Sequence, residues 1–204
     1  MAKIQGSQVE GVRKLYTDEL YSAQEIANAL SVSLDAVYYC LRKYDIPRRT
    51  ASENSRINFE RKPLSFNLKQ KLTKRDERLK LTGCLLYWCE GYKTEKSKVV
   101  DFANSDTHMV LLFLRFLRIV CGVSEKRLRV LLYCHEENRI REHINYWSNK
   151  LNIPVEQFTK PYVMKSSKLV KSHKMPYGLV HIRYGDKKLL SQILQWIDEY
   201  KLHI

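Results

Sequence analysis

Between Leu81 and Gly91 the chain reads LTGCLLYWCEG: nine uncharged, mostly apolar residues, then a single carboxylate, Glu90, and a glycine. The preceding stretch, 71–80, is charged and favours helix, so the run reads as the second half of one helix. A helix apolar on every face is expected to be buried on every face. The run is far too short for a bilayer, which takes about 20 apolar residues, so it belongs to a core or a helix–helix seam. Gly91 is expected to stop the helix in the left-handed conformation that glycine tolerates best. Glu90 then sits at the negative end of the helix dipole, where an anion is disfavoured and wants a cation beside it. That placement suits a metal ligand. The competing role is a helix-end carboxylate paired with Lys93 or a nearby arginine.

Charge narrows the class of partner. The 204 residues hold 36 Lys and Arg against 22 Asp and Glu, a net +14, which supplies a phosphate-seeking surface without separating DNA, RNA and anionic membrane. Length allows one good-sized domain and a small one. No apolar run approaches membrane-spanning length and the first residues lack a signal-peptide core, so a cytoplasmic protein with no membrane partner is expected. Cys40, Cys84, Cys89, Cys121 and Cys134 form no CxxC pair, so they read as buried thiols rather than a disulfide framework or zinc site.

Three short helices are expected at the N-terminus, Val9–Leu20, Ala23–Leu30 and Leu34–Lys43. Ser22 and Glu25 form a capping box for the second, and Ser33 caps the third. Ile26, Ala27, Leu30, Val32, Val37 and Leu41 make the inner face. This spacing, with the tail Tyr44 to Arg49, resembles the helix-turn-helix of resolvase- and invertase-type DNA-binding domains. The resemblance implies that the third helix enters a major groove with Tyr38, Tyr39, Arg42 and Lys43 outward and Arg48 and Arg49 on phosphates. Residues 1–62 hold ten basic and eight acidic residues, a weak charge for DNA, and small units of this kind also serve as protein–protein modules. Residues 50–70 lack steady periodicity, contain Pro63 and read as a linker or groove-tracking arm.

Beyond the apolar helix the chain alternates strands and helices. Strands are expected at 98–104, 127–135, 158–164 and 178–184, and helices at 107–121, 138–151 and 187–201. The order αβαβαββα indicates an α+β domain with a mainly antiparallel sheet and helices on one side. Strand alternation puts Arg127, Arg129, Tyr133 and His135 on the face opposite Leu128, Val130 and Leu132, and turns His181 and Arg183 away from Val180 and Ile182. Arg, His and Tyr can read base edges and phosphates, while an ordinary solvated face needs only polarity. Residues 160–188 hold eight basic residues, including Lys165, Lys168, Lys171 and Lys174, against Asp186 alone. A hairpin arm of that charge suits a path along phosphates.

A helix ending in an acid and glycine, followed by a sheet with one basic face, resembles the LAGLIDADG fold of homing endonucleases over roughly residues 75–204. Leu85 to Gly91 align with the last seven letters of that motif. YWCEGYK and the later Asn104-Ser105-Asp106 are also similar to freestanding single-motif relatives with N-terminal helix-turn-helix units. The resemblance implies a helix-turn-helix domain over 1–49, a linker over 50–70 and a LAGLIDADG-like domain over 71–204. It implies site-specific binding of double-stranded DNA and Mg²⁺-dependent cleavage, with Glu90 as metal ligand and Lys93 the nearest basic group. One motif per chain implies a homodimer, with Thr82, Gly83, Leu86 and Cys89 in the helix seam and Glu90 from each copy side by side. Departures are Trp88 at the family's first acidic position and Leu85 at its interior glycine, which leaves close approach to Gly83. Trp88 and Tyr87 are expected in the core. Some relatives keep the fold and regulate transcription without cutting, which is the alternative function.

Overall fold

The structure is a computed structural model describing residues 4–94, 96–134, 139–163 and 175–202. The chain divides into two units, Met1–Pro63 and Leu64–Ile204.

In the first unit, apolar residues at helical spacing produce α1 (Val9–Thr17), α2 (Ala23–Ala29) and α3 (Leu34–Lys43). The Ser22–Glu25 capping box is formed in both directions, and the Ser33 hydroxyl accepts from the Ala36 amide. Between them Ser31 takes φ 52°, a left-handed turn, and the Val32 amide donates to the Ala27 carbonyl at 3.0 Å. The turn folds α3 back on α2, so that Val12, Ile26, Ala27, Val37 and Leu41 are buried together.

The expected linker is largely a helix, α4 (Ala51–Arg61), which belongs to this unit. Its apolar period is absent because only Ile57 is buried. What starts it is a second capping box, Thr50 with Glu53. The Arg61 guanidinium, near the C-terminal end of α4, bonds the Glu19 carbonyl and the Glu25 carboxylate.

The second unit runs α5 (Lys74–Glu90), β1 (Val100–Asn104), α6 (Thr107–Ile119), β2 (Leu128–Cys134), α7 (Ile140–Leu151), β3 (Tyr162–Val163), β4 (Leu179–Tyr184) and α8 (Lys187–Lys201). This α+β order is the one that the strand–helix alternation indicates. The strands form an open sheet ordered β1-β4-β2-β3, with β4 antiparallel to β1 and β2, and β3 parallel to β2. The expected hairpin of β3 with β4 therefore does not form. Central β4 uses both its edges on β1 and β2, and its Val180, Ile182 and Tyr184 complete the core between them.

Buried residues alternate along β1, β2 and β4, so one sheet face carries the core and the other is half-buried or exposed. On the core side Phe102 stacks on Phe113 with ring centroids 4.3 Å apart. The α5 helix packs against α6, α8 and β1. It is not buried all round. Leu79, Gly83, Cys84 and Tyr87 face the core, whereas Leu81, Leu85 and Trp88 are 40%, 40% and 37% exposed. A helix on the outside of a two-layer domain has only one side to bury, and the described residues of this unit supply no layer beyond α5.

Gly91 also departs from expectation, with φ −78° and ψ 146°. The chain leaves the helix straight into extended backbone: Gly91 bridges Phe102 and the Tyr92 amide donates to the Asp101 carbonyl at 2.9 Å. Glycine is needed there for space, because a Cβ would lie 2.5 Å from both the Tyr87 carbonyl oxygen and its ring. Among the described residues no helix is long and apolar enough to cross a membrane.

Candidate nucleic-acid interface

The α5 terminus separates two residues that the sequence joins. Lys93 folds back so that its Nζ donates to the carbonyls of Tyr87 (3.3 Å), Trp88 (2.9 Å) and Gly91 (2.7 Å). An ammonium has three donors, so all are engaged. They neutralise the negative end of the helix and satisfy carbonyls that lack helical partners. Lys93 thus neither pairs with Glu90 nor offers a hydrogen to a substrate. Glu90 is exposed and makes no hydrogen bond or ion pair among the described residues. Its oxygens are hard ligands of the kind Mg²⁺ takes, but no group of three His, Cys, Asp or Glu residues gathers among the described residues. A metal ion held here needs a carboxylate from a second copy, or phosphate oxygens and waters, to complete its shell.

On the open sheet face the register gathers polar groups from distant parts of the chain. Asp101 on β1 pairs with Arg183 on β4, which pairs with Arg129 on β2. His181 sits two residues before Arg183, and Tyr133 four residues after Arg129, so all keep to one side of the sheet. The Asp101 carboxylate, 14% exposed, is shared: His181 Nδ1 lies 2.7 Å from Oδ1 and Arg183 Nε 3.0 Å from Oδ2. A neutral His181 that donates from Nδ1 to this carboxylate keeps Nε2 as its acceptor nitrogen. The Tyr133 ring lies against His181 at 4.7 Å and against Tyr162 of β3 at 5.0 Å.

Arg129, Tyr133, His181 and Arg183 therefore share the face that the alternation assigns to them. Sequence reasoning misses Asp101 and Tyr162, although the alternating Val-Asp-Phe of β1 carries the signal for Asp101. Arg127 is not on this face. It lies in the turn before β2, where it donates to the Gly185 carbonyl at 2.7 Å and covers the Tyr184 ring. One terminal nitrogen of Arg129 donates to the carbonyls of Lys126 and Leu128, and its remaining donors have no partner among the described residues. His135, Lys165, Lys168, Lys171 and Lys174 lie outside the described residues.

In the first unit the outer side of α3 carries Tyr38, Tyr39, Arg42 and Lys43. Arg48 stacks over the Tyr38 ring at 4.4 Å, and Lys43 lies 5.3 Å from the centre of Tyr44 and 6.0 Å from that of Tyr39. Tyr38, Arg42, Asp45 and Arg48 line a groove of about 280 Å³. Arg49 differs from its neighbours. It bonds the carbonyls of Leu20 and Tyr21 and covers the Tyr16 ring at 4.2 Å. Its donors close the loop after α1, which removes it from the phosphate partners.

The expected seam residues divide in the same way. Gly83 faces α6, where an added Cβ would meet the Phe116 ring at 2.2 Å, so its close approach is made within its own domain. Leu86 packs against the same core. Thr82 is half-buried and donates to the Arg78 carbonyl at 2.8 Å, and Cys89 is exposed rather than buried. The outward side of α5 is instead formed by Leu81, Leu85, Trp88 and Cys89, and Lys201 of α8 lies 5.1 Å above the Trp88 ring. Tyr87 is core, as expected, while Trp88 is not. The other cysteines are buried, and burial pushes the Cys84 thiol up to about 12.

Compared with family models, curated proteins and solved structures, the chain matches none.

Proposed function

We propose that this protein binds double-stranded DNA site-specifically as a homodimer and cleaves it with the help of Mg²⁺. The first unit acts as a helix-turn-helix module that lays α3 into a major groove. The second acts as a LAGLIDADG-like core whose open sheet face lies on a central, roughly palindromic site. One observation carries the reading: α5 ends in an exposed carboxylate, Glu90, unpartnered among the described residues, beside an outward apolar stripe, Leu81, Leu85 and Trp88. Exposed leucines and a tryptophan at helical spacing favour a partner helix over water. A second copy of α5 across a twofold axis would cover them and bring two Glu90 carboxylates together. Two adjacent carboxylates repel unless a cation lies between them, so metal affinity and dimerisation are coupled. When bound, Mg²⁺ supplies activation of water and stabilisation of the leaving oxygen of a phosphodiester. Arg129 and Arg183 hold phosphate oxygens, and Glu90 positions the cation.

The engagement of Lys93 with helix carbonyls favours one second reading, a non-catalytic transcription regulator on the same scaffold, because the nearest basic group contributes nothing to cleavage. Incubating the purified protein with a randomised duplex library, with and without Mg²⁺, separates the two. Cleaved ends that depend on Mg²⁺ support the endonuclease, and a selected sequence that is bound but never cut supports the regulator. A protein–protein module would show no salt-dependent DNA affinity, which would eliminate both.

A further inference from the structure

The open sheet face carries more aromatic surface than duplex binding uses. Tyr162, Tyr133 and His181 form a row of three touching rings that spans β3, β2 and β4, with centroid spacings of 5.0 and 4.7 Å. Tyr162 is 56% exposed although it lies on a sheet, and Tyr133 and His181 are only partly covered. The Asp101 carboxylate orients the imidazole, so the far end of the row is held in place by a hydrogen bond. Cations border the rings: Arg129 is exposed, and Arg183 is 37% exposed beside Asp101.

We infer that this row is a stacking platform for unpaired nucleotides, so that the sheet face takes a single-stranded or locally opened segment of nucleic acid. A B-form duplex buries its base faces in its own stack and offers a protein only base edges and backbone. Exposed aromatic surface such as that of Tyr162 gains little from it. An unpaired base has two free π-faces, and stacking on an aromatic side chain is tolerant of base identity. Tyr162 is the register partner of Tyr133 and His181 its diagonal neighbour, so the sheet brings the three side chains into one continuous aromatic row. Arg129 and Arg183, opposite each other on β2 and β4, lie at one end of the row and are placed for the phosphates of the strand that enters it. The inference rests on the nucleic-acid reading above and names the form of substrate that the same face accepts.

The test compares three fluorescein-labelled probes on the full chain by anisotropy: a short oligothymidylate, an abasic strand of equal length and charge, and a duplex. The oligothymidylate should bind on the order of tenfold or more tightly than the abasic strand, the gap expected from base stacking. Tyr162→Ala and Tyr133→Leu should each narrow that gap, with affinity for the abasic strand retained. Arg129→Ala should weaken both strands alike. Tyr162 is largely exposed, so its replacement does not put folding at stake. Equal affinity for the strands with and without bases, or a gap that survives both tyrosine variants, overturns the inference. If the duplex is bound in a salt-dependent way while the two strands are bound alike, the functional reading stands and this inference falls. No salt-dependent binding of any probe overturns that reading and this inference with it.

Discussion

The outer side of α3 and the open face of the sheet use the same residue types, tyrosine with arginine, lysine or histidine, in opposite electrostatic states. At α3 and just after it, Lys43 and Arg48 rest on aromatic rings, and Arg42, Lys43 and Arg48 have no ion pair among the described residues. On the sheet, His181 and Arg183 share the nearly buried Asp101. Solvated cations release counterions when they meet phosphates, so they dominate affinity and its salt dependence. Arg183, already paired with Asp101, spends part of its charge on orientation and fold stability and offers a phosphate less than a solvated arginine does. Charge counts alone therefore overstate what a basic surface offers to a ligand. The same division separates Glu90, which has no partner among the described residues, from Lys93, which is bound to its own helix.

The largest effect should fall on that last pair. Glu90→Gln is expected to abolish Mg²⁺-dependent cleavage while leaving DNA affinity intact or higher, because a negative charge near phosphates is removed. Lys93→Met should leave cleavage in place and lower helix stability by about 0.3–1 kcal/mol. Abolished cleavage in Lys93→Met, or survival of cutting in Glu90→Gln, would break the distinction.

Next, the double substitution Arg42→Ala, Arg48→Ala should weaken duplex binding roughly tenfold to a hundredfold. It should also reduce the slope of log affinity against log salt by about two, one for each phosphate that the variant no longer neutralises. Its unfolding curve in urea should be close to that of the parent. An unchanged salt slope would mean that α3 does not engage the DNA backbone.

Asp101→Asn tests the opposite surface. It leaves His181 and Arg183 without their shared anion, and should cost about 1–3 kcal/mol in urea unfolding. Binding through α3 should be little changed. A fall in stability no greater than that of the α3 double variant would erase the difference between the faces.

The smallest effect lies at Asp76, the partner of Thr73 at the start of α5. Lys69, with the Thr73 amide and hydroxyl, holds its carboxyl down to about 2 from an ordinary 3.8. A lowered native value favours the folded state above the unfolded pKa, so the contribution is complete above about pH 4 and fades as pH falls toward 2. Asp76→Asn should flatten the acid limb of the stability profile in that window and leave the profile parallel near neutrality. An acid limb unchanged by the substitution would show that other carboxylates set it.

Local chemistry makes much of this legible. The Ser22–Glu25 box, Ser33 and the alternation of β2 and β4 each act over a few residues, and each works as its spacing indicates. The polar helix α4 escapes a reading by periodicity because nearly all its side chains are solvated, leaving only the Thr50–Glu53 box to mark it. The outward side of α5 is hidden for a different reason. Its residues are apolar all round, so the pattern cannot say which side faces Phe116 and which faces outward.

The sequence by itself determined the order of elements in the second unit, the capped starts of α2 and α3, the inward and outward sides of β2 and β4, and the position of Glu90 at a helix end, since periodicity and capping are short-range. Only the tertiary structure decided the partners. Strand register brings Asp101 to His181 across 80 residues, β2 accepts Tyr162 on its outer edge, and helix packing turns Leu81, Leu85 and Trp88 away from the core. Those outcomes depend on which surfaces meet, and no local pattern carries that information.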